Sequence, residues 1–258
     1  MNFCRGTFKN VGLLALLALL WAPTACAQQK QTMPDMPGMD MNGAPNSGAA
    51  AQQETPAQRA AEIQSTKESE FNHHLSGLLV FIAGLAILLQ DRIRPYWPGV
   101  RYVLSVCFLL GGIYLLVFSD TEIWPFGPQT FWYAITHNPE DLQHKTFSII
   151  LLFLGAVEFS RVKGWLTAEW AKWAFPVMAF AGSVMLLFHK HSPGMHGAHS
   201  MAVMMQVKAE HRGFAAAGFG IAIGKGLSEG FRSWRPVMEK VWPLMLMVLG
   251  VLLMIYTE

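Results

Sequence analysis

The chain has 258 residues, 52% hydrophobic and 14% charged, where a soluble domain carries about 25% charged residues. Its net charge of +2 offers no broad basic surface, which argues against a nucleic-acid partner. No P-loop, dinucleotide fingerprint, Gly-x-Ser-x-Gly or His-Glu-x-x-His pattern occurs. Nucleotide-driven transport, α/β-hydrolase chemistry and zinc proteolysis therefore find no support, and the chain is not expected to be an enzyme.

Residues 1–27 read as a secretory signal. Arg5 and Lys9 precede an apolar core at 11–22, and Ala25-Cys26-Ala27 fits a small-x-small cleavage site. Lipidation at Cys26 and an uncleaved signal anchor are the alternatives. Cys107 is the one cysteine left after cleavage, so no disulfide or Cys-x-x-Cys site is expected. Residues 28–67 are rich in Gln, Ala, Pro, Gly and Ser and read as a disordered tether. Met33, Met36, Met39 and Met41 cluster within it.

Six apolar runs follow, near 71–90, 102–119, 146–160, 170–188, 213–227 and 241–256. They predict an all-α fold: a polytopic membrane bundle of about six transmembrane helices, as three hairpins, over residues 68–258. Several runs fall short of the roughly 20 residues a span needs. Flanking polar residues should therefore belong to the helices, which brings His144 and His211 to the outer interface. The links after the first, third and fifth runs carry the basic residues, among them Arg92, Arg94, Arg101, Arg161, Lys163, Lys225 and Arg235. Those links should face the cytoplasm of a bacterial inner membrane, with both mature termini in the periplasm and membrane lipid around the spans.

All nine histidines then fall on the outer side. His73 and His74, His144, and His211 head the three inbound helices, and only one of the adjacent pair His73 and His74 should point inward, because neighbours on a helix face about 100° apart. Their convergence would make a shared metal site at the bundle mouth. His189, His191, His196 and His199, with Met195 and Met201, fall within thirteen residues of one outer loop. Imidazole suits borderline transition metals and thioether suits Cu(I), so this pattern points to a copper ion. The bland reading is an exposed loop and capping histidines. His137, in another loop, is the weakest candidate. Glu158 and Glu229, near the inner helix ends, are candidates for a cation or proton step; the alternative is pairing with Arg161 or Arg232, one helical turn away.

The stretch Phe71-Asn72-His73-His74-Leu75-Ser76-Gly77, the segment 189–212 and the methionine cluster together resemble the CopD-type copper-resistance proteins of the bacterial inner membrane. That resemblance implies a multi-helix membrane protein that holds or moves copper. It also implies a metal-ligand role for His73, His74, His144, His189, His191, His196, His199 and His211. The chain has fewer spans than that family usually shows. The expected function is copper handling at the membrane, with periplasmic copper carriers as partners and passage across the membrane as a second step. Two alternatives stay open. One is a haem b electron-transfer protein, with haem held for example between His74 and His144 or His211. The other is a structural membrane subunit.

Overall fold

A computed structural model describes residues 55–188 and 201–257. Seven α-helices occur in chain order: α1 (Pro56–Ile93), α2 (Val103–Phe118), α3 (Phe131–His137), α4 (Pro139–Lys163), α5 (Ala171–Leu187), α6 (Met201–Gly230) and α7 (Arg235–Met254). A 3-10 turn, Pro98–Tyr102, leads into α2. No strand forms among the described residues, so the fold is all-α.

The six long helices close a ring. Each packs against the next in sequence, with the short α3 skipped, and α7 packs against α1. Alternating direction follows from the contacts. Asn72 of α1 bonds the Ser119 carbonyl just past α2, and Lys145 near the start of α4 bonds the Leu115 and Leu116 carbonyls at the end of α2. His74 of α1 bonds the Tyr256 carbonyl beyond α7.

Helix ends are set by local chemistry. Asn138 caps α4 by accepting from the Glu140 amide, with Pro139 in the first turn, where a missing N–H costs nothing. Gly164, at φ 77°, ends α4 in the left-handed conformation, one turn after Arg161, whose charge suits the negative helix end.

Residues 56–67, expected to be part of a disordered tether, belong to α1. They are rich in Ala, Gln, Glu, Lys and Arg, which are strong helix formers. They also extend an apolar helix whose nucleation is already met, so each added residue gains a hydrogen bond. At 1.5 Å per residue, the 38 residues of α1 reach about 57 Å, well beyond an approximately 30 Å hydrocarbon core. Helices α4 and α6 likewise begin ahead of their apolar runs and enclose His144 and His211.

Three helical stretches are long and apolar enough to cross a membrane: Ile63–Ile93, Pro98–Phe118 and Arg235–Met254. The outer surface agrees. On α2, Val106, Leu110, Ile113 and Val117 are exposed while Cys107, Phe108 and Gly111 are buried. A helix facing water would turn polar residues outward, so this is a bundle suited to lipid. Helices α1 and α7 come close together at Gly77 and Gly250, where a Cβ added to Gly77 would lie 2.6 Å from the Gly250 carbonyl oxygen. Small residues allow that approach, as in helix pairs within membranes.

Candidate metal centre at the histidine end

Three helices bring one imidazole each to a single cavity. His73 of α1, His144 of α4 and His211 of α6 line a space of about 200 Å³ whose other walls are largely apolar, including Phe147, Phe214 and Leu253. His74 does not line it. Its Nε2 instead meets the Tyr256 carbonyl oxygen at 3.0 Å and ties down the chain end. The 100° helical step between neighbours separates the two roles.

The three cavity imidazoles share a hydrogen-bonding pattern. His73 Nδ1 donates to the Ser69 carbonyl (2.8 Å), and His211 Nδ1 donates to the Val207 carbonyl (2.8 Å). His144 Nδ1 donates to Asp120 Oδ1 (2.8 Å). A carbonyl only accepts, so Nδ1 carries the proton and the lone pair of each neutral ring is on Nε2. Metal-binding imidazoles are oriented by such a bond to a carbonyl or carboxylate. Aromatic packing fixes the rings further. His73 stacks on Tyr256 with centroids 4.0 Å apart, and His211 meets His73 edge-on at 6.0 Å.

Behind His144 lies a buried polar network that the sequence did not reveal. Asp120 Oδ2 pairs with Lys145 Nζ at 2.7 Å. Lys145 Nζ also donates to Ser119 Oγ (3.1 Å) and to the Leu115 and Leu116 carbonyls (3.3 and 3.1 Å). Those carbonyls belong to the last turn of α2, where a cation offsets the helix dipole. Asn72 donates to the Ser119 carbonyl and accepts from Tyr114 Oη. Burial pulls the Asp120 carboxyl upward, but the His144 and Lys145 partners outweigh it and hold it at about 2. Asp120 therefore stays ionised and keeps His144 oriented.

The remaining candidates fall elsewhere. His137 is exposed at the end of α3, stacked on Tyr133 at 4.2 Å and bonded to the Tyr133 carbonyl. It does not line the cavity. Met33, Met36, Met39 and Met41, and the loop with His189, His191, Met195, His196 and His199, lie outside the described residues, as does the side chain of Met201. That loop joins α5 to α6, and Leu186 of α5 lines the same cavity as His211 of α6. Among the described residues no three His, Cys, Asp or Glu side chains stand close enough to grip one bare ion.

Glu158 and Glu229 sit at the opposite end and are ion-paired. Glu158 bonds Arg161 at 2.8 Å, as the spacing predicts. Glu229 pairs with Lys225 (2.7 Å), Arg161 (3.5 Å) and Arg235 (4.0 Å). The expected partner Arg232 is not among them, because α6 ends at Gly230 and helical spacing no longer applies beyond it.

No family model, curated protein or solved structure matches the chain.

Proposed function

We propose that this chain is a copper-handling protein of the bacterial inner membrane. Its six long helices cross as three hairpins, with the histidine end in the periplasm. The charge distribution supports that orientation: Arg161, Lys225 and Arg235 form ion pairs at the other end, and Arg92, Arg94 and Lys163 lie in the last turns or links there. Basic residues favour the cytoplasmic side.

One observation carries the reading: imidazoles from α1, α4 and α6 line one cavity, each with Nδ1 already bonded. Copper is the cargo. His73, His144 and His211 would offer Nε2, and the 189–201 segment would add imidazole and thioether from the link between α5 and α6. The 33–41 methionines would collect Cu(I) from solution or from a periplasmic carrier. Because Glu158 and Glu229 are engaged by arginine and lysine, the reading is of binding at the outer mouth; passage across the membrane is no part of it. His74, the haem ligand considered with His144 or His211, does not line the cavity and bonds the Tyr256 carbonyl, which favours a metal ion over haem b. A visible spectrum of the purified protein should show no Soret band; a Soret band with reducible α/β bands would favour haem instead.

The test is copper titration of the full chain in lipid nanodiscs. At pH 7.5 the double variant His73→Ala, His211→Ala should lose at least one copper equivalent. Affinity of the unaltered protein should fall as pH drops through about 6, where imidazole gains a proton. Unchanged stoichiometry in the double variant, with equal affinity at pH 7.5 and pH 5, overturns the reading.

A further inference from the structure

Next to the histidine cavity lies a second, smaller one of different chemistry. It measures about 60 Å³, and five carboxylates line it: Glu68 from α1, Asp120 and Glu122 from the link after α2, and Glu140 and Asp141 from the first turn of α4. Asn72, Ser119 and His144 line both cavities, so the two share a wall.

The two basic residues beside this pocket, Lys145 and His144, are both turned to Asp120. Lys145 also reaches the end of α2. Glu68 accepts from Gln64 and Thr121, and Glu122 accepts from Gln129; these are neutral donors.

Asp141 is the telling residue. It is 5% exposed, and its Oδ2 is buried with no hydrogen-bond partner. A position in the first turn of a helix suits an acid electrostatically. It does not explain an orphaned oxygen, since such an acid normally accepts from the free amides there. Leaving a buried charged acceptor unsatisfied costs more than the typical 1–3 kcal/mol of a neutral one. An orphaned, buried carboxylate oxygen on the wall of a small pocket lined by carboxylates is a ready ligand for a cation.

We propose that this pocket binds a hard divalent cation, of the Mg²⁺, Mn²⁺ or Ca²⁺ class, with Asp141 as its principal ligand. Hard cations take carboxylate, carbonyl and water oxygens, and Mg²⁺-like ions keep part of their water shell. A 60 Å³ space accommodates an ion together with some of that water. Among the described residues no three acidic or imidazole groups converge on one point, so the ion would be held partly through water. Burial, followed by the charges of Asp120 and Glu122, pushes the Asp141 carboxyl up to about 7; bound divalent charge would relieve that repulsion.

This site differs in ligand chemistry from the histidine cavity and does not depend on copper binding there. The probe is Mn²⁺, added to chelator-stripped full chain in nanodiscs of zwitterionic lipid at pH 7.5 and followed by the loss of free-ion paramagnetic resonance. One saturable site is expected, displaced by excess Ca²⁺ or Mg²⁺. Asp141→Asn should weaken it at least tenfold. If that variant does not fold, Glu122→Gln with Glu140→Gln at the pocket rim should weaken it severalfold. His73→Ala with His211→Ala should leave it unchanged while lowering copper binding, so the two sites fail separately. The absence of a saturable Mn²⁺ site overturns the proposal, and so does a site indifferent to the acidic substitutions.

Discussion

The two ends of the bundle use similar residues for opposite purposes. At the basic end, Glu229 is surrounded by Lys225, Arg161 and Arg235, and Glu158 by Arg161. Cations match or exceed carboxylates there, and the pairs clasp α4, α6 and α7 together. At the histidine end, five carboxylates line one pocket and three imidazoles the other, and the buried Lys145 pairs with Asp120. The basic end is electrostatically closed. The histidine end gathers carboxylates and imidazoles, the groups a cation uses. Ion pairs of similar length thus serve structure in one place and orient a candidate ligand in the other.

Cutting one pair at each end tests that contrast most strongly. Asp120→Asn removes the partner of Lys145, which is 5% exposed at its side chain. Loss of one member of a buried pair leaves an uncompensated charge, at a cost of about 3–5 kcal/mol. Glu229→Gln acts where the side chains are more open, 14% for both Glu229 and Lys225, and should cost about 1–2 kcal/mol, between a surface and a buried pair. Denaturant unfolding in a fixed detergent would compare the two. Equal losses would remove the proposed difference between the ends. The double change Asp120→Asn with Lys145→Met should recover much of the first loss.

Acid provides the next test. The folded Asp120 value of about 2 lies below its ordinary 3.8. A depressed acid contributes stability that is present above the ordinary value and is lost as pH falls through the folded one. The shift corresponds to about 2 kcal/mol, lost between about pH 4 and pH 2. Asp141 has the reverse sign, since its folded value is raised to about 7 from 3.8. Its ionisation should cost stability as pH climbs from about 4 through 7, and Asp141→Asn should flatten that part of the profile. Unfolding midpoints across pH 2–8, for the unaltered protein and each variant, would read both slopes. A profile for Asp141→Asn that parallels the unaltered protein between pH 4 and 7 would contradict the second assignment.

Much of this arrangement is legible in the residue order, and the remainder has identifiable physical reasons. The apolar runs locate the long helices, and the histidines heading three of them foreshadow the cavity. The apolar runs begin later than the helices do at Pro56, Pro139 and Met201; the polar flanks of the third and fifth runs join their helices as expected, and residues 56–67 join theirs as well, because a helix continues wherever its residues have good propensity. The Glu158–Arg161 pair is local and could be read from spacing. Asp120 beside His144, Tyr256 against His73 and the acidic pocket join residues far apart in sequence. No local periodicity encodes such meetings, which arise from closure of the ring.

That closure depends on the α1–α7 seam. Gly77 faces the Gly250 carbonyl so closely that any Cβ requires the helices to part. Gly77→Ala should cost about 1–3 kcal/mol by overpacking. Because His73 lies one turn away on α1 and stacks on Tyr256 beyond α7, the same change should also loosen the histidine end. Copper affinity should drop together with the unfolding midpoint, whereas Mn²⁺ binding in the acidic pocket, which contains no α7 residue, should be spared. Equal loss of both metals would mean that the two cavities do not behave as separate sites.

The smallest expected effect concerns Tyr256 itself. It is 1% exposed, and its ring lies 4.0 Å from the His73 centroid and 5.9 Å from that of His211. Such aromatic pairs contribute about 0.5–1.5 kcal/mol beyond area burial. Tyr256→Leu should lower stability by about that amount and weaken copper binding a few-fold by freeing the His73 ring. Tyr256→Phe keeps the ring and removes only the hydroxyl, so it should restore both properties if stacking is what counts. If Tyr256→Phe weakens copper binding as much as Tyr256→Leu, the phenol oxygen takes part in the site and Tyr256 joins the ligands. The basic end contains no equivalent arrangement of stacked aromatic and imidazole among the described residues, so neither substitution should disturb the Arg161–Glu229 clasp.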